Sequence, residues 1–241
     1  MIFKLCYTAL IKNKGDSMSE TIDVLDIDIN NVTAKEAIKG IISFMNQDSI
    51  SIVDFISTES LIALEEQAEI KEEMKNFDLI LPSDKGILLA AKVADQKILE
   101  ATQKKVLVKA ILKVLHRNKC KMFLLVDSLE HGTWFSEMVS RDYCGIDLVE
   151  TAKVVKDNRA DDMLVNAING EEIDVVVSLL ESPLQEDFII KNKNVLNIKL
   201  FLGLGNEISE VEQNNSIGTR MGRFLKQTIL KKEIQKRRSL M

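Results

Sequence analysis

Residues 81–86 read LPSDKG: an apolar run from Leu79 to Leu81 ends in a proline, and Ser83, Asp84 and Lys85 follow before a second apolar run, GILLAAKV. A carboxylate in such a polar gap can serve as a general base. Asp84 is the candidate here, although it can equally cap a helix that begins near Gly86. Lys85 beside it favours the ionised form and so makes it a poorer base near neutrality. Ser83 cannot take that role, because a serine hydroxyl does not titrate near neutrality and has no partner histidine in this stretch. A second candidate is Ser182-Pro183-Leu184-Gln185-Glu186, directly after the apolar run EIDVVVSLL. Ser182 reads as a helix cap and Pro183 as a first-turn residue. Helix N-termini attract anions, and Gln185 there can reach a sugar or a diphosphate. Simple capping, with Glu186 favouring the helix dipole, is the alternative. The stretch GLGNE, residues 203–207, can be a turn that approaches phosphate through Gly203 and Gly205, or a plain strand-to-loop turn.

Other chemistries lack their motifs. The chain has no GxSxG, no P-loop and no GxGxxG. His116 falls within a helix and His131 at a helix start, with no cysteine or carboxylate read at ligand spacing, so no metal is expected. Cys6, Cys120 and Cys144 form no CxxC and are odd in number, which suits reduced thiols. Cys120 and Cys144 flank apolar strands and are expected to be small buried hydrophobes.

The elements that must position these residues alternate. TIDVLDIDI reads as one half-buried strand. NNVTAKEAIKGIISFM reads as a helix with Thr33 and Glu36 as a capping box. SISIVDFI is a strand, and ESLIALEEQAEIKEEMKNF is helical with a break near 67–69. DLIL is a strand and GILLAAKVA a short helix. KKVLVKAILKVLHRNKC is an amphipathic helix, followed by the strand KMFLLVD, the helix SLEHGTWFSEMVSRD and the strand CGIDLVE. RADDMLVNAING, EIDVVVSLL, SPLQEDFIIKNKN and LNIKLFLGLG continue the alternation. Continuously apolar strands are buried on both faces, so the expectation is an α/β fold: a doubly wound, mostly parallel, Rossmann-like sheet. Ligands of such sheets bind at the carboxyl ends of the strands. That singles out residues 57–59, 83–85, 127–128, 181–185 and 203–207.

The charge balance is uneven. The chain of 241 residues carries a net charge of −5, which argues against nucleic acid as a partner of the whole chain. Residues 217–241 nevertheless hold eight Lys and Arg against one Glu. Ile217, Met221, Phe224, Leu225, Thr228 and Ile229 recur there at helical spacing, with Arg220, Arg223, Lys226, Lys231 and Lys232 among the residues between and beyond. This basic amphipathic pattern suits an anionic membrane surface. No apolar run is long enough for a membrane-spanning helix. Met18 opens MSETIDVLDIDI and looks like a natural start, so residues 1–17 are expected to be an extension or an over-called start. The expected organisation is a flexible segment 1–20, an α/β domain 21–210 and a basic helical appendage 211–241.

Taken in order, IDVLDIDINNVTAKEAI, DLILPSDKGILLAAKV, KMFLLVDS, IDVVVSLLESPLQEDFI and IKLFLGLGNEI resemble the WecG/TagA/CpsF glycosyltransferases over about residues 21–238. The resemblance implies transfer of an N-acetylmannosamine-type sugar from a UDP donor to a polyprenyl-diphosphate-linked N-acetylglucosamine. The UDP-sugar is then a substrate and no cofactor is implied. It further implies a cytoplasmic protein peripheral on the inner face of the plasma membrane, serving cell-surface polysaccharide or teichoic acid synthesis. Gln185 and Glu186 match the family's P-K-Q-E residue for residue. The family reads P-D-G after its DLILP strand, with the aspartate as proposed base; here Ser83 takes that place and Asp84 the glycine's. The family's T-x-N falls on Phe55 and Ser57, or on Thr58 with a small shift, its arginine near Ala101, and its L-G-G glycines on Val126 and Asp127. Ser57, Thr58, Ser83, Gln185, Glu186 and Gly205 are therefore the substrate-binding candidates, and Asp84 the catalytic one. Two readings stay open: a divergent enzyme using Asp84, or an inactive homologue that binds a sugar nucleotide or a partner, whether a second copy or an active paralogue.

Overall fold

A computed structural model describes residues 20–91, 104–156 and 161–206. The segments expected to form the N-terminal extension and the basic helix, with Cys6, Ala101, Arg220, Arg223, Lys226, Lys231 and Lys232, lie outside these described residues.

Six strands form one wholly parallel sheet: β3 (Ser51–Ile56), β4 (Leu79–Pro82), β5 (Lys121–Val126), β6 (Asp147–Lys153), β7 (Val175–Leu179) and β8 (Leu200–Gly203), in the order β4-β3-β8-β7-β5-β6. Helices follow the strands in sequence: α1 (Ala34–Phe44) before β3, α2 (Thr58–Ala63) and α3 (Ala68–Met74) after it, α4 (Lys85–Ala90) after β4, α5 (Lys104–Asn118) before β5, α6 (Leu129–Asp142), α7 (Asp161–Gly170) and α8 (Leu184–Asn192). This is the expected Rossmann-like α/β arrangement.

Side chains of a strand alternate between faces, and the two cores divide the central strands on that period. Met122, Leu124 and Val126 of β5, Val175 and Val177 of β7, and Leu200 and Leu202 of β8 join α1, α5 and α6 on one face. Phe123, Leu125, Val176 and Phe201 join α2, α3, α7 and α8 on the other. A sheet covered on both sides needs apolar residues at every position, which is why these strands read as continuous runs. Burying Phe123 or Phe201 completely stabilises the fold by about 1.5–3 kcal/mol each relative to exposure.

Local signals place several boundaries. Thr33 caps α1, and the Glu36 carboxylate accepts from the Thr33 backbone N–H at 2.8 Å in a complete capping box. The helical stretch after β3 does break, between α2 and the Gln67 that opens α3.

Three expectations are corrected. TIDVLDIDI is not one strand but an antiparallel hairpin of β1 (Thr21–Val24) and β2 (Ile27–Asn30). Leu25 and Asp26 form its turn at φ of 57° and 66°. The buried Lys71 holds that turn, donating to Leu25 O, Asp26 Oδ2 and Glu65 O at 3.1–3.3 Å. Asn30 Oδ1 then accepts from Ile80 N at 2.7 Å, seating the hairpin on β4. Ser182 does not cap α8. Pro183 occupies that position after a cis peptide bond, and the Ser182 hydroxyl turns to Glu186 instead. Cys120 is buried as expected, and burial pushes its thiol up to about 11, but Cys144 is exposed.

Candidate active site

Because all six strands are parallel, their carboxyl ends share one edge, and the loops after β3, β4, β5, β7 and β8 gather there. The connections diverge at one place on it. β5 runs through α6 to β6 on one side, whereas β7 runs through α8 to β8 on the other. Helices α6 and α8 also pack on opposite faces. Adjacent strands whose connections part in this way leave a crevice between their carboxyl ends, the usual ligand site of a doubly wound sheet.

Gln185 stands at one wall of this crevice, in the first turn of α8, and is 1% exposed. Its Nε2 donates to Asp54 Oδ1 of β3 at 2.7 Å, and its Oε1 accepts from Gly205 N at 3.1 Å. Asp54 lies in register with Gly203 of β8. A Cβ at Gly203 would fall 2.5 Å from Asp54 Oδ1 and 2.6 Å from Gln185 Nε2, so only glycine leaves room for the amide. Gly205 itself has φ of 69°, a left-handed conformation that glycine adopts at little cost. The two glycines of GLGNE are thus explained by the Gln185 amide they admit and bind.

The opposite wall holds Asp127, after β5, and His131, in the first turn of α6. His131 Nδ1 lies 3.1 Å from Asp127 Oδ1, and Asn206 Nδ2 donates to Asp127 Oδ2 at 2.8 Å. Asn206 follows Gly205, so the loop after β8 joins both walls: its backbone N–H holds Gln185 and the next side chain holds Asp127. Sequence reading found no carboxylate partner for His131, and the structure corrects this. The signal was the four-residue spacing from Asp127, one turn of helix, while the Asn206 contact joins residues 79 apart and has no local signature. Asp54 was missed for the same reason, as a charged residue inside an apolar strand.

Glu186 follows Gln185 but is sealed at 1% exposure. Its Oε1 accepts from Ser182 Oγ at 2.6 Å, and among the described residues its Oε2 has no hydrogen-bond partner. Burial pushes this carboxyl up to about 7, against the opposing effect of the Ser182 hydroxyl.

Ser57, Thr58, Ser83 and Asp84 form a second group at the ends of the adjacent strands β3 and β4. Ser57 caps α2 through Ser60 N at 3.0 Å. Asp84 caps α4: its Oδ1 accepts from Gly86 N at 2.7 Å and Ile87 N at 3.3 Å. Its Oδ2 accepts from Thr58 N at 3.2 Å and Thr58 Oγ1 at 3.1 Å. Both carboxylate oxygens therefore already receive two donors each. Ser83 Oγ is shielded and lacks a partner among the described residues. The structure thus pairs Thr58 with Asp84 and Gln185 with Gly205, and ties Glu186 to Ser182.

These features define a Rossmann-like α/β protein whose polar candidate residues gather at the carboxyl edge of a parallel sheet. The family model of the Glycosyl transferase WecG/TagA/CpsF family matches residues 22–211. The chain belongs to that family, whose members are glycosyltransferases of cell-surface polysaccharide synthesis. Sugar-nucleotide donors and lipid-linked acceptors are the partners that membership implies. No curated protein matches the chain. Among the described residues, no helix is long and apolar enough to cross a membrane.

Proposed function

We propose that this chain transfers an N-acetylmannosamine-type sugar from a UDP donor to a polyprenyl-diphosphate-linked N-acetylglucosamine, in teichoic acid or related cell-surface polysaccharide synthesis. The observation that most supports this is the clamped Gln185 amide at the crevice of a family member. With its oxygen held by Gly205 and its Nε2 donating to Asp54, the buried amide ties the loop after β8 to β3 and so fixes the carboxyl edge where a sugar nucleotide would bind. A loop held rigidly in this way can position substrate groups without reorganising during the reaction. The reaction is a direct inversion. The acceptor hydroxyl attacks the anomeric carbon, the bond from that carbon to the UDP oxygen breaks, and UDP leaves with the electron pair. Asp84 is the candidate base read from the sequence, yet its carboxylate already faces donors from Thr58, Gly86 and Ile87, which favours a capping role over proton abstraction. Residues 217–241 would bring the chain to the inner face of the plasma membrane, where the acceptor is held.

Calorimetric titration with UDP and UDP-N-acetylmannosamine, followed by a product assay with a short-chain lipid acceptor, tests this reading. Saturable binding and product are expected, and absence of binding at millimolar ligand would overturn it. The four donors on Asp84 favour one other reading, an inactive homologue that binds a sugar nucleotide or serves an active partner. That reading predicts UDP binding without product.

A further inference from the structure

We propose that His131, oriented by Asp127, is the general base of the transfer reaction in this chain, taking the proton of the acceptor hydroxyl at Nε2. The inference deepens the glycosyl-transfer reading above and rests on it.

Three observations carry it. The first is position: Asp127 and His131 stand at the carboxyl end of β5, on the wall of the crevice opposite Gln185. The second is orientation. Asp127 is held from both sides, by Asn206 Nδ2 at 2.8 Å on one oxygen and by His131 Nδ1 at 3.1 Å on the other. A carboxylate fixed in this way accepts from Nδ1–H, so the neutral ring keeps its lone pair on Nε2. The third is availability. The His131 side chain is 29% exposed, and among the described residues Nε2 has no hydrogen-bond partner. Asp84, by contrast, offers no lone pair that is not already facing a donor.

The step balances with the species already named. Nε2 takes the hydroxyl proton as the acceptor oxygen bonds to the anomeric carbon. The sugar–phosphate bond breaks, UDP carries off the electron pair, and the imidazolium later gives its proton to water. Asp127 is a positioning residue: it selects the tautomer and stabilises the cation that forms.

The test uses the full chain with UDP-N-acetylmannosamine and a lipid-linked N-acetylglucosamine acceptor, comparing wild type, His131→Ala, His131→Gln and Asp127→Asn. A positioned general base contributes about 10²–10⁴-fold. Both His131 variants should lose at least about 100-fold in kcat while UDP affinity by calorimetry changes little. Added imidazole should restore part of the activity of His131→Ala, which a purely structural role would not allow. In Asp127→Asn the amide oxygen would face Asn206 and its NH2 would face Nδ1, moving the ring proton to Nε2. That variant should lose at least about 10-fold in kcat without weaker UDP binding. If wild type turns over and His131→Gln keeps its kcat within about threefold, the assignment of His131 is overturned while the transfer reading stands. If wild type binds UDP and yields no product, the transfer reading fails and the base assignment with it.

Discussion

Replacing Asp84 by alanine separates a cap from a base, and the structure supplies the magnitude. Asp84→Ala strips the acceptor from Gly86 N and Ile87 N at the start of α4, and loss of such a cap costs typically about 1 kcal/mol. It also strips the acceptor from Thr58 N and Oγ1. Hydrogen bonds to a charged group contribute about 1.5–3 kcal/mol, and partial burial with distances of 3.1–3.2 Å puts this pair together near the low end. The expected loss is about 2–3 kcal/mol. For a chain of 241 residues each kcal/mol moves the melting midpoint by roughly 2–4 °C, so Tm should fall by about 5–10 °C. Asparagine caps helices nearly as well as aspartate. It can keep its oxygen on Gly86 and Ile87 while its NH2 donates to Thr58 Oγ1, but the Thr58 backbone N–H then loses its acceptor, so Asp84→Asn should cost about 1–2 kcal/mol, less than alanine. Urea denaturation of the three proteins measures this, and product formation on the same samples separates the roles. A cap predicts an Asp84→Asn enzyme within about tenfold of wild type in kcat, whereas a base predicts a fall of about 10²–10⁴-fold at the same modest loss of stability. The reasoning is refuted if Asp84→Ala costs under about 0.5 kcal/mol, or if Asn is as damaging as Ala.

Gly203→Ala should drive Gln185 from its place, costing about 1–3 kcal/mol in urea denaturation and weakening UDP binding by calorimetry. Glu186 gives a pH dependence of defined sign. Its folded value near 7 lies above the unfolded value near 4.5, so the native state loses stability as pH rises from about 4.5 to 7 and levels off above that, by on the order of 3 kcal/mol. Denaturation across pH 4–9 should show this slope in wild type and a flatter one in Glu186→Gln; equal slopes would remove Glu186 as the source. Deleting residues 217–241 should abolish sedimentation with anionic liposomes, and unchanged sedimentation would exclude that segment as the membrane contact.

What could be read from sequence alone follows the range of the forces involved. The Thr33–Glu36 capping box spans one turn, and the break before Gln67 is likewise a local matter, so both were legible. The apolar runs of β5 and β7 announced burial on two faces and hence a parallel sheet. The hairpin was not legible, because Leu25 and Asp26 take left-handed conformations without a glycine or Asn-Gly signal and depend on Lys71, more than forty residues away. At the candidate site, family resemblance and position after a strand singled out Gln185, Gly205 and Asp84. The partners that give those residues their geometry come from distant strands: Asp54 lies 131 residues from Gln185, and Thr58 lies 26 from Asp84. The Ser182 hydroxyl could have served either the backbone of α8 or the Glu186 carboxylate, and only packing decides between them.

The place of β8 has a consequence for how the chain acquires its fold. The last described strand sits between β3 and β7, so the described strands made before residue 200 amount to two half-sheets, β4-β3 and β7-β5-β6, each with a bare apolar edge. Such edges are templates for pairing with the wrong neighbour, and contacts between residues so far apart in sequence form slowly. During synthesis the chain therefore passes through a sticky stage that ends only when Leu200–Gly203 slots in, and that same insertion brings Gly205 to Gln185 and Asn206 to Asp127. Completion of the sheet and assembly of the crevice are one event, so a population that fails to seat β8 would be aggregation-prone and without its site.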